Sequence, residues 1–172
     1  MGDMITNEDR KTQIGQAITA QRELAEKTVV KTAALLGIPP DEYLQFERGE
    51  KSPSLPQLEA LAYFFKVPFG SLLEFQAVTG IPRVDLASIT SLISLREKII
   101  SSLLKKSRLD KGFSVEDLAY QTQLTVDDIN AYEIDQNPIP QPILENLCTV
   151  LDIKLESLFS SITAQPEEET SA

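Results

Sequence analysis

Apolar residues recur at the spacing of a buried helix face over most of the chain. The clearest group lies at i, i+3, i+4 and i+7, which places its members along one side of a helix. This group is Leu58, Leu61, Ala62 and Phe65, and a second group with the same spacing is Leu144, Leu147, Cys148 and Leu151. Runs that favour strands are scarce, whereas Leu, Ala, Glu and Gln are frequent. The pattern therefore predicts an all-α fold.

The chain repeats itself with an offset of 86 residues. Residues 22–73 align with residues 108–159 without gaps. The identical positions are Arg22/Arg108, Val29/Val115, Ala33/Ala119, Asp41/Asp127, Glu47/Glu133, Pro56/Pro142, Leu58/Leu144, Glu59/Glu145, Leu61/Leu147, Ser71/Ser157 and Leu72/Leu158. Helical periodicity alone can align apolar residues, but it does not align charged residues and a proline in the same register. We therefore predict two tandem copies of one unit.

Each copy is predicted to fold into five short helices. In the first copy, the second helix opens after Thr28, a frequent N-cap residue, and Gly37 suits a left-handed turn at its end. Pro39 and Pro40 then turn the chain into the third helix. The predicted helices cover residues 13–24, 29–36 and 40–47, and the last two begin at Pro56 and near Phe69. Ser114 replaces Thr28 in the second copy, so the same course is expected there.

The repeat also predicts the domain boundaries. We expect a first domain over residues 10–78, a linker over 79–87, a second domain over 88–162 and a disordered acidic tail over 163–172. A long helix is predicted over residues 84–107, where the second copy begins. Its apolar stripe, which comprises Leu92, Leu95, Ile99 and Leu103, exceeds what a small core needs. The stripe either packs the two domains together or pairs two chains.

Composition narrows the classes of function. The formal net charge is −10 in 172 residues, whereas nucleic-acid-binding domains usually carry a basic surface. The chain has no His and one Cys, which argues against a metal centre, a cofactor site or an enzyme. We expect Cys148 to be a buried structural thiol. No run of about 20 apolar residues and no signal-peptide core is found, so a soluble cytoplasmic protein without membrane contact is expected.

Three short motifs of the first copy are typical of one family. Ala33 and Gly37 are separated by three residues, Glu47 is followed by Arg48 and Gly49, and the run Pro53-Ser54-Leu55-Pro56 comes next. In these motifs the chain resembles the Cro/Xre phage-repressor family of helix-turn-helix proteins. The resemblance covers roughly residues 12–76 and, more weakly, 96–161. It implies two five-helix repressor-like domains and a DNA-binding transcription regulator without enzyme activity.

The resemblance also implies a structural ion pair between the first and third helices of each copy. The residues concerned are Arg22 with Glu47 and Arg108 with Glu133, each 25 residues apart. The second copy departs from the family pattern nearby, because Gln123 stands at the turn glycine and Ile134 at the position of Arg48. These departures leave the fold expectation intact and weaken the expectation that the second copy binds DNA.

The candidate DNA contacts follow from the family, in which the third helix enters the major groove. In the first copy they are Thr28, Lys31, Asp41, Glu42, Leu44, Gln45, Arg48 and Lys51. The weaker equivalents in the second copy are Ser114, Asp127, Asp128, Asn130 and Ala131. Only Gln45 and Asn130 belong to the residue types that usually read bases. The acidic residues among them would repel phosphates, although the positive N-terminus of a helix is a sufficient reason for their position.

Two classes of function stay open at this point. In the first, the chain regulates transcription by binding double-stranded DNA through its first domain, and the second domain serves dimerisation or packing. In this first class, two such chains can bind DNA as a homodimer. In the second, the helix-turn-helix scaffold binds a protein partner without DNA. Acidic helices, few basic residues and the expected exposure of Leu44 and Tyr63 favour the second class, whereas the family resemblance favours the first.

Overall fold

A computed structural model describes residues 6–73 and 88–159. In the first of these ranges the chain forms α1 (Asn7–Leu24), α2 (Val29–Leu36), α3 (Pro40–Glu47), α4 (Leu55–Phe65) and α5 (Gly70–Leu73). The second range contains α6 (Ile89–Asp110), α7 (Val115–Thr122), α8 (Val126–Glu133), α9 (Gln141–Leu151) and a 3-10 helix (Leu155–Leu158). Neither range contains a β-strand, and the all-α prediction is confirmed.

The helix bounds follow largely from capping residues. The Thr28 hydroxyl accepts the N–H of Lys31 at the start of α2, and Gly37 ends that helix with φ +70°. Helix α1 begins six residues before the predicted Gln13, because Thr6 and Asp9 form a reciprocal capping box. The long helix that begins the second copy ends at Asp110 rather than at the predicted residue 107, and it is described from Ile89 onward. Residues 84–87, like the predicted linker and tail, lie outside the described residues.

Backbone conformation repeats with the same offset as the sequence. Eight described residues have positive φ, and each has a partner 86 residues away that also has positive φ. The pairs are Glu26/Gly112, Gly37/Gln123, Gly49/Asp135 and Lys66/Asp152. Left-handed backbone is costly for residues other than glycine, so it marks tight turns. The two halves therefore make their turns at equivalent positions.

The two halves pack through reciprocal ion pairs. The Arg10 guanidinium contacts Glu145 on α9 at 3.0 Å, and the Arg96 guanidinium contacts Glu59 on α4 at 3.0 Å. Arg10 and Arg96 are 86 residues apart, and so are Glu59 and Glu145. The arginine of each half thus contacts the equivalent glutamate of the other half. A two-fold axis produces such an exchange of equivalent contacts. The halves are thus related by a pseudo-two-fold axis within one chain.

Main-chain contacts lie on the same axis. Ser54 and Pro140, which occupy equivalent positions in the two halves, form an isolated antiparallel bridge. The Gln141 N–H donates to the Pro53 carbonyl at 3.0 Å. Arg10 also donates to the Leu73 carbonyl, and Arg96 donates to the Leu158 carbonyl, so each arginine also holds the end of its own half. The loop between α3 and α4 therefore meets the loop between α8 and α9 at the axis.

The apolar stripe of α6 does not join the halves. Leu95, Ile99 and Leu103 are 54%, 43% and 40% exposed, and Leu92 is half-buried. The buried residues Ile93 and Ile100 lie on the neighbouring face of α6, and they belong to an apolar cluster with residues of both halves. The expectation that the stripe packs the domains together is therefore wrong, because Leu95, Ile99 and Leu103 are exposed and the neighbouring face of α6 is the buried one. The alternative, pairing of two chains, stays a prediction.

Replacing Gln123 with glycine is expected to stabilise the protein by about 1 kcal/mol. Gln123 closes α7 with φ +58° and is exposed, so its side chain loses nothing while the backbone strain is relieved. The measurement is a urea unfolding curve of the variant beside the parent. Gln121→Gly is the control, since Gln121 lies inside α7 and glycine there should destabilise by about 1 kcal/mol. Destabilisation by both changes would contradict the strain argument.

Candidate nucleic-acid interface

A buried ion pair fixes the helix-turn-helix of the first half. Arg22 Nε donates to Glu47 Oε1 at 2.5 Å and Nη2 donates to Oε2 at 3.2 Å. The third nitrogen, Nη1, donates to the Lys27 carbonyl at 3.0 Å. One arginine on α1 thus holds both the end of α3 and the turn that precedes α2. Hydrogen bonding to the Glu47 carboxylate raises the pKa of the Arg22 guanidinium above its ordinary value.

The second half repeats this arrangement. Arg108 Nε and Nη2 donate to Glu133 at 2.5 and 2.8 Å, and Nη1 donates to the Phe113 carbonyl at 2.8 Å. The side chains of Arg108 and Glu133 are only 8% and 6% exposed. Hydrogen bonding to Glu133 raises the pKa of Arg108. Both pairs are therefore positioned to hold the third helix of their half and not to contact a ligand.

The structure assigns different surroundings to the first-copy candidates on α2 and α3. Lys31 and Asp41 are exposed, whereas Thr28 is engaged as the cap of α2. Leu44 is half-buried, and so is Tyr63 on α4. The expectation that Leu44 and Tyr63 are exposed is wrong, because the packed helices around them cover part of each side chain. The exposed apolar surface that would favour a protein partner is therefore smaller than the sequence predicts.

The polar candidates on α3 and the following loop are partly engaged as well. Gln45 and Glu42 are half-buried. Arg48 Nε donates to Glu50 Oε1 at 2.7 Å, which raises the pKa of Arg48 and lowers that of Glu50. Lys51 Nζ lies 3.6 Å from Glu42 Oε1. Arg48 and Lys51 are each more than half exposed, and such surface pairs are worth little, so phosphates can compete for these side chains.

Two of the acidic residues in the second half have local structural roles. Asp117 accepts from the Ser114 hydroxyl and N–H, and Asp128 makes the same contacts with Thr125. Hydrogen bonds from Ser114 lower the pKa of Asp117. These capping boxes stabilise the starts of α7 and α8. Ser114 and Asp128 therefore contribute to helix formation, whereas Asp127 and Asn130 are exposed and Ala131 is half-buried.

The basic residues next to α2 and α3 have no basic counterparts in the second half. Lys27, Lys31, Arg48 and Lys51 correspond to Phe113, Asp117, Ile134 and Asn137. Lys27 itself lies 4.9 Å from the centre of the Phe64 ring, a cation–π contact. The second copy thus has no basic side chain at these four positions and has a charge of opposite sign at one of them.

Sequence reasoning missed the residues on the pseudo-two-fold axis. Glu97 is half-buried there and accepts from the Ser54 hydroxyl at 2.8 Å, and burial raises its pKa. The repeat contained a sign of the ion pairs between the halves, because glutamate occupies both of the equivalent positions 59 and 145. Extending the alignment back from residue 22 also pairs Arg10 with Arg96. Repeated charges on a helix surface can mark a symmetric contact.

Cys148 lies on the apolar face of α9 and is 3% exposed. Burial raises the pKa of its thiol to about 12. Within residues 6–73 and 88–159, no three His, Cys, Asp or Glu side chains stand close enough together to hold a metal ion. In the same ranges, no helix combines the length and apolar character needed to cross a membrane.

Residues 18–72 match the model of a helix-turn-helix family of the Cro/C1 type. No curated protein and no solved structure matches the chain. The matched range contains the C-terminal part of α1, all of α2 to α4 and most of α5, together with the Arg22–Glu47 pair. The described residues form an all-α fold, and residues 18–72 are similar to a helix-turn-helix family of DNA-binding transcription regulators.

Proposed function

We propose that the chain is a DNA-binding transcription regulator built from two tandem helix-turn-helix domains, over residues 10–78 and 88–162. The first domain binds double-stranded DNA, and the second packs against it as its pseudo-two-fold partner. The observation that carries this proposal is the reciprocal pair of contacts, Arg10 with Glu145 and Arg96 with Glu59. This intrachain pairing takes the role for which the sequence suggested a homodimer.

Equivalent local structure supports the assignment of a second domain. Both halves have an Arg–Glu pair across 25 residues, a hydroxyl cap on the second helix and left-handed turns at matching positions. Unrelated helical segments would not share all three features. These shared features support the proposal that the second half is also a helix-turn-helix unit.

The pairing suits a duplex. Two-fold-related helix-turn-helix units place their recognition helices in major grooves about 34 Å apart. Here α3 ends at Glu47 and α8 at Glu133, seven residues before Ser54 and Pro140 on the axis. Seven residues span at most about 25 Å, so the two helix ends can lie up to about 50 Å apart. The spacing of one helical turn of DNA falls inside this range.

The first domain supplies the phosphate contacts in this proposal. Lys31 is exposed at the first turn of α2 and is in no ion pair within the described residues. Arg48 and Lys51 are exposed at the end of α3 and in the loop that follows it, and their acidic partners are weakly held. These three side chains flank α3 on both sides. A phosphate backbone on either side of the groove would meet one of them.

Salt dependence tests the proposal. The protein is titrated by fluorescence polarisation against fragmented genomic DNA of its source at several salt concentrations. Lys31→Ala and Lys51→Ala are each expected to weaken binding and to reduce the slope of log K against log salt by about one. Lys154→Ala is the control, since Lys154 is exposed after α9 and lies outside both the α2–α3 and the α7–α8 segments. Slopes that are unchanged in both variants would refute the proposed interface.

The alternative function is a protein-interaction module without DNA binding. The acidic second copy and the pairing of Arg48 and Lys51 with carboxylates favour it. It predicts no binding to any fragment even at about 50 mM salt, where phosphate contacts are strong. Such a result would reject the DNA proposal, and partner capture with the purified chain would follow.

A further inference from the structure

We infer that a single chain binds a non-palindromic duplex, whose two halves differ in sequence and only one of which is held through its phosphates. This inference rests on the proposed DNA binding. It names the kind of site that is bound and the number of chains on it.

The first step is the symmetry of the pairing. Homodimeric helix-turn-helix proteins bind palindromes because their two recognition helices are identical. In this chain the pair is formed inside one molecule by Arg10–Glu145 and Arg96–Glu59. Two recognition helices are therefore available from one chain, and their sequences are free to differ.

The second step concerns how far the two recognition helices differ in sequence. At the positions that face DNA in such a pair, α3 and the residue after it carry Pro40, Asp41, Leu44, Gln45 and Arg48. The equivalents are Val126, Asp127, Asn130, Ala131 and Ile134. One of the five positions is identical. A pair of this kind cannot read the same bases in both halves, because four side chains differ and the side-chain hydrogen-bonding groups have changed at three of these positions.

The third step is the chemistry of the second half. Asn130 is exposed, and its amide can pair with adenine. Ile134 is 65% exposed and Val126 is 37% exposed, and apolar side chains contact the methyl group of thymine. Nothing on this face replaces Lys31, Arg48 or Lys51. The second half-site is therefore read through A·T contacts, whereas the first half-site supplies the phosphate contacts.

Three duplexes of equal length test the inference. They contain the site selected from genomic fragments, a palindrome of its first half and a palindrome of its second half. We expect the selected site to bind one chain, by native mass spectrometry, and each palindrome to bind at least about tenfold more weakly. Equal or tighter binding of either palindrome, or two chains on the selected site, would overturn the inference.

Ethylation interference on the selected site gives a second readout. Modified phosphates should block binding on one half only, and Lys31→Ala should remove part of that pattern. A pattern that is symmetric about the centre would contradict the unequal roles of the two copies. Failure of the proposed function looks different, because no duplex would then bind in a salt-dependent way.

Discussion

Replacing Arg22 with alanine is expected to lower the free energy of unfolding by about 3–5 kcal/mol. The arginine and its partner Glu47 are 14% and 8% exposed, and both guanidinium edges are hydrogen-bonded. Its removal leaves the Glu47 carboxylate buried without a counter-charge and frees the Lys27 carbonyl. The loss corresponds to a fall in melting temperature of roughly 6–20 °C for a chain of this size.

Two further variants test whether the stability loss in Arg22→Ala comes from the ion pair with Glu47. Lys51→Ala removes an exposed cation whose partner lies at 3.6 Å, and it should change stability by less than about 0.5 kcal/mol. Arg22→Lys keeps the charge and loses the two-pronged contact, so its loss should be intermediate. Equal melting shifts for Arg22→Ala and Lys51→Ala would show that the ion pair is not structural.

The sequence predicted those parts of the fold that depend on local signals. The bounds of α2 and α3 follow from Thr28, Gly37 and Pro40, which act within a few residues of themselves. The start of α1 was missed although Thr6 and Asp9 have the spacing of a capping box. The first turns of that helix carry no apolar residue before Ile14, so periodicity gave no reason to extend it.

Contacts between residues far apart in the sequence were harder to predict. Arg10 and Glu145 are separated by 135 residues, and the stripe on α6 offered a more obvious candidate for packing. Apolar periodicity shows that a face is available for burial, but it does not show what covers it. The half-burial of Leu44 likewise depends on how the helices pack, and the pairing of Arg48 with Glu50 depends on the fold of the loop after α3. Candidate DNA contacts could thus be named by position, while their accessibility required the structure.

Replacing Gly15 with alanine is expected to destabilise the protein by about 3 kcal/mol. A Cβ atom at Gly15 would lie 2.5 Å from the Phe46 carbonyl oxygen and 2.8 Å from that of Glu47. Both contacts are with backbone at the end of α3, which cannot move aside as a flexible side chain would. Helix α1 would be pushed away from α3, at a cost near the upper end of that for overpacking.

The sign of this effect separates packing from helix propensity. Alanine inside a helix is favoured over glycine by about 1 kcal/mol, so propensity alone predicts that Gly15→Ala stabilises α1. The equivalent residue in the second half is Ser101, which is buried and already carries a Cβ atom. Ser101→Ala is therefore the matched control and should change stability by less than about 1 kcal/mol. A stabilised Gly15→Ala variant in denaturant unfolding would show that α1 and α3 are less closely packed than the structure indicates. A loss confined to Gly15→Ala would show that direct backbone contact holds α3 of the first half against α1. The Arg22–Glu47 pair connects the same two helices seven residues further along α1.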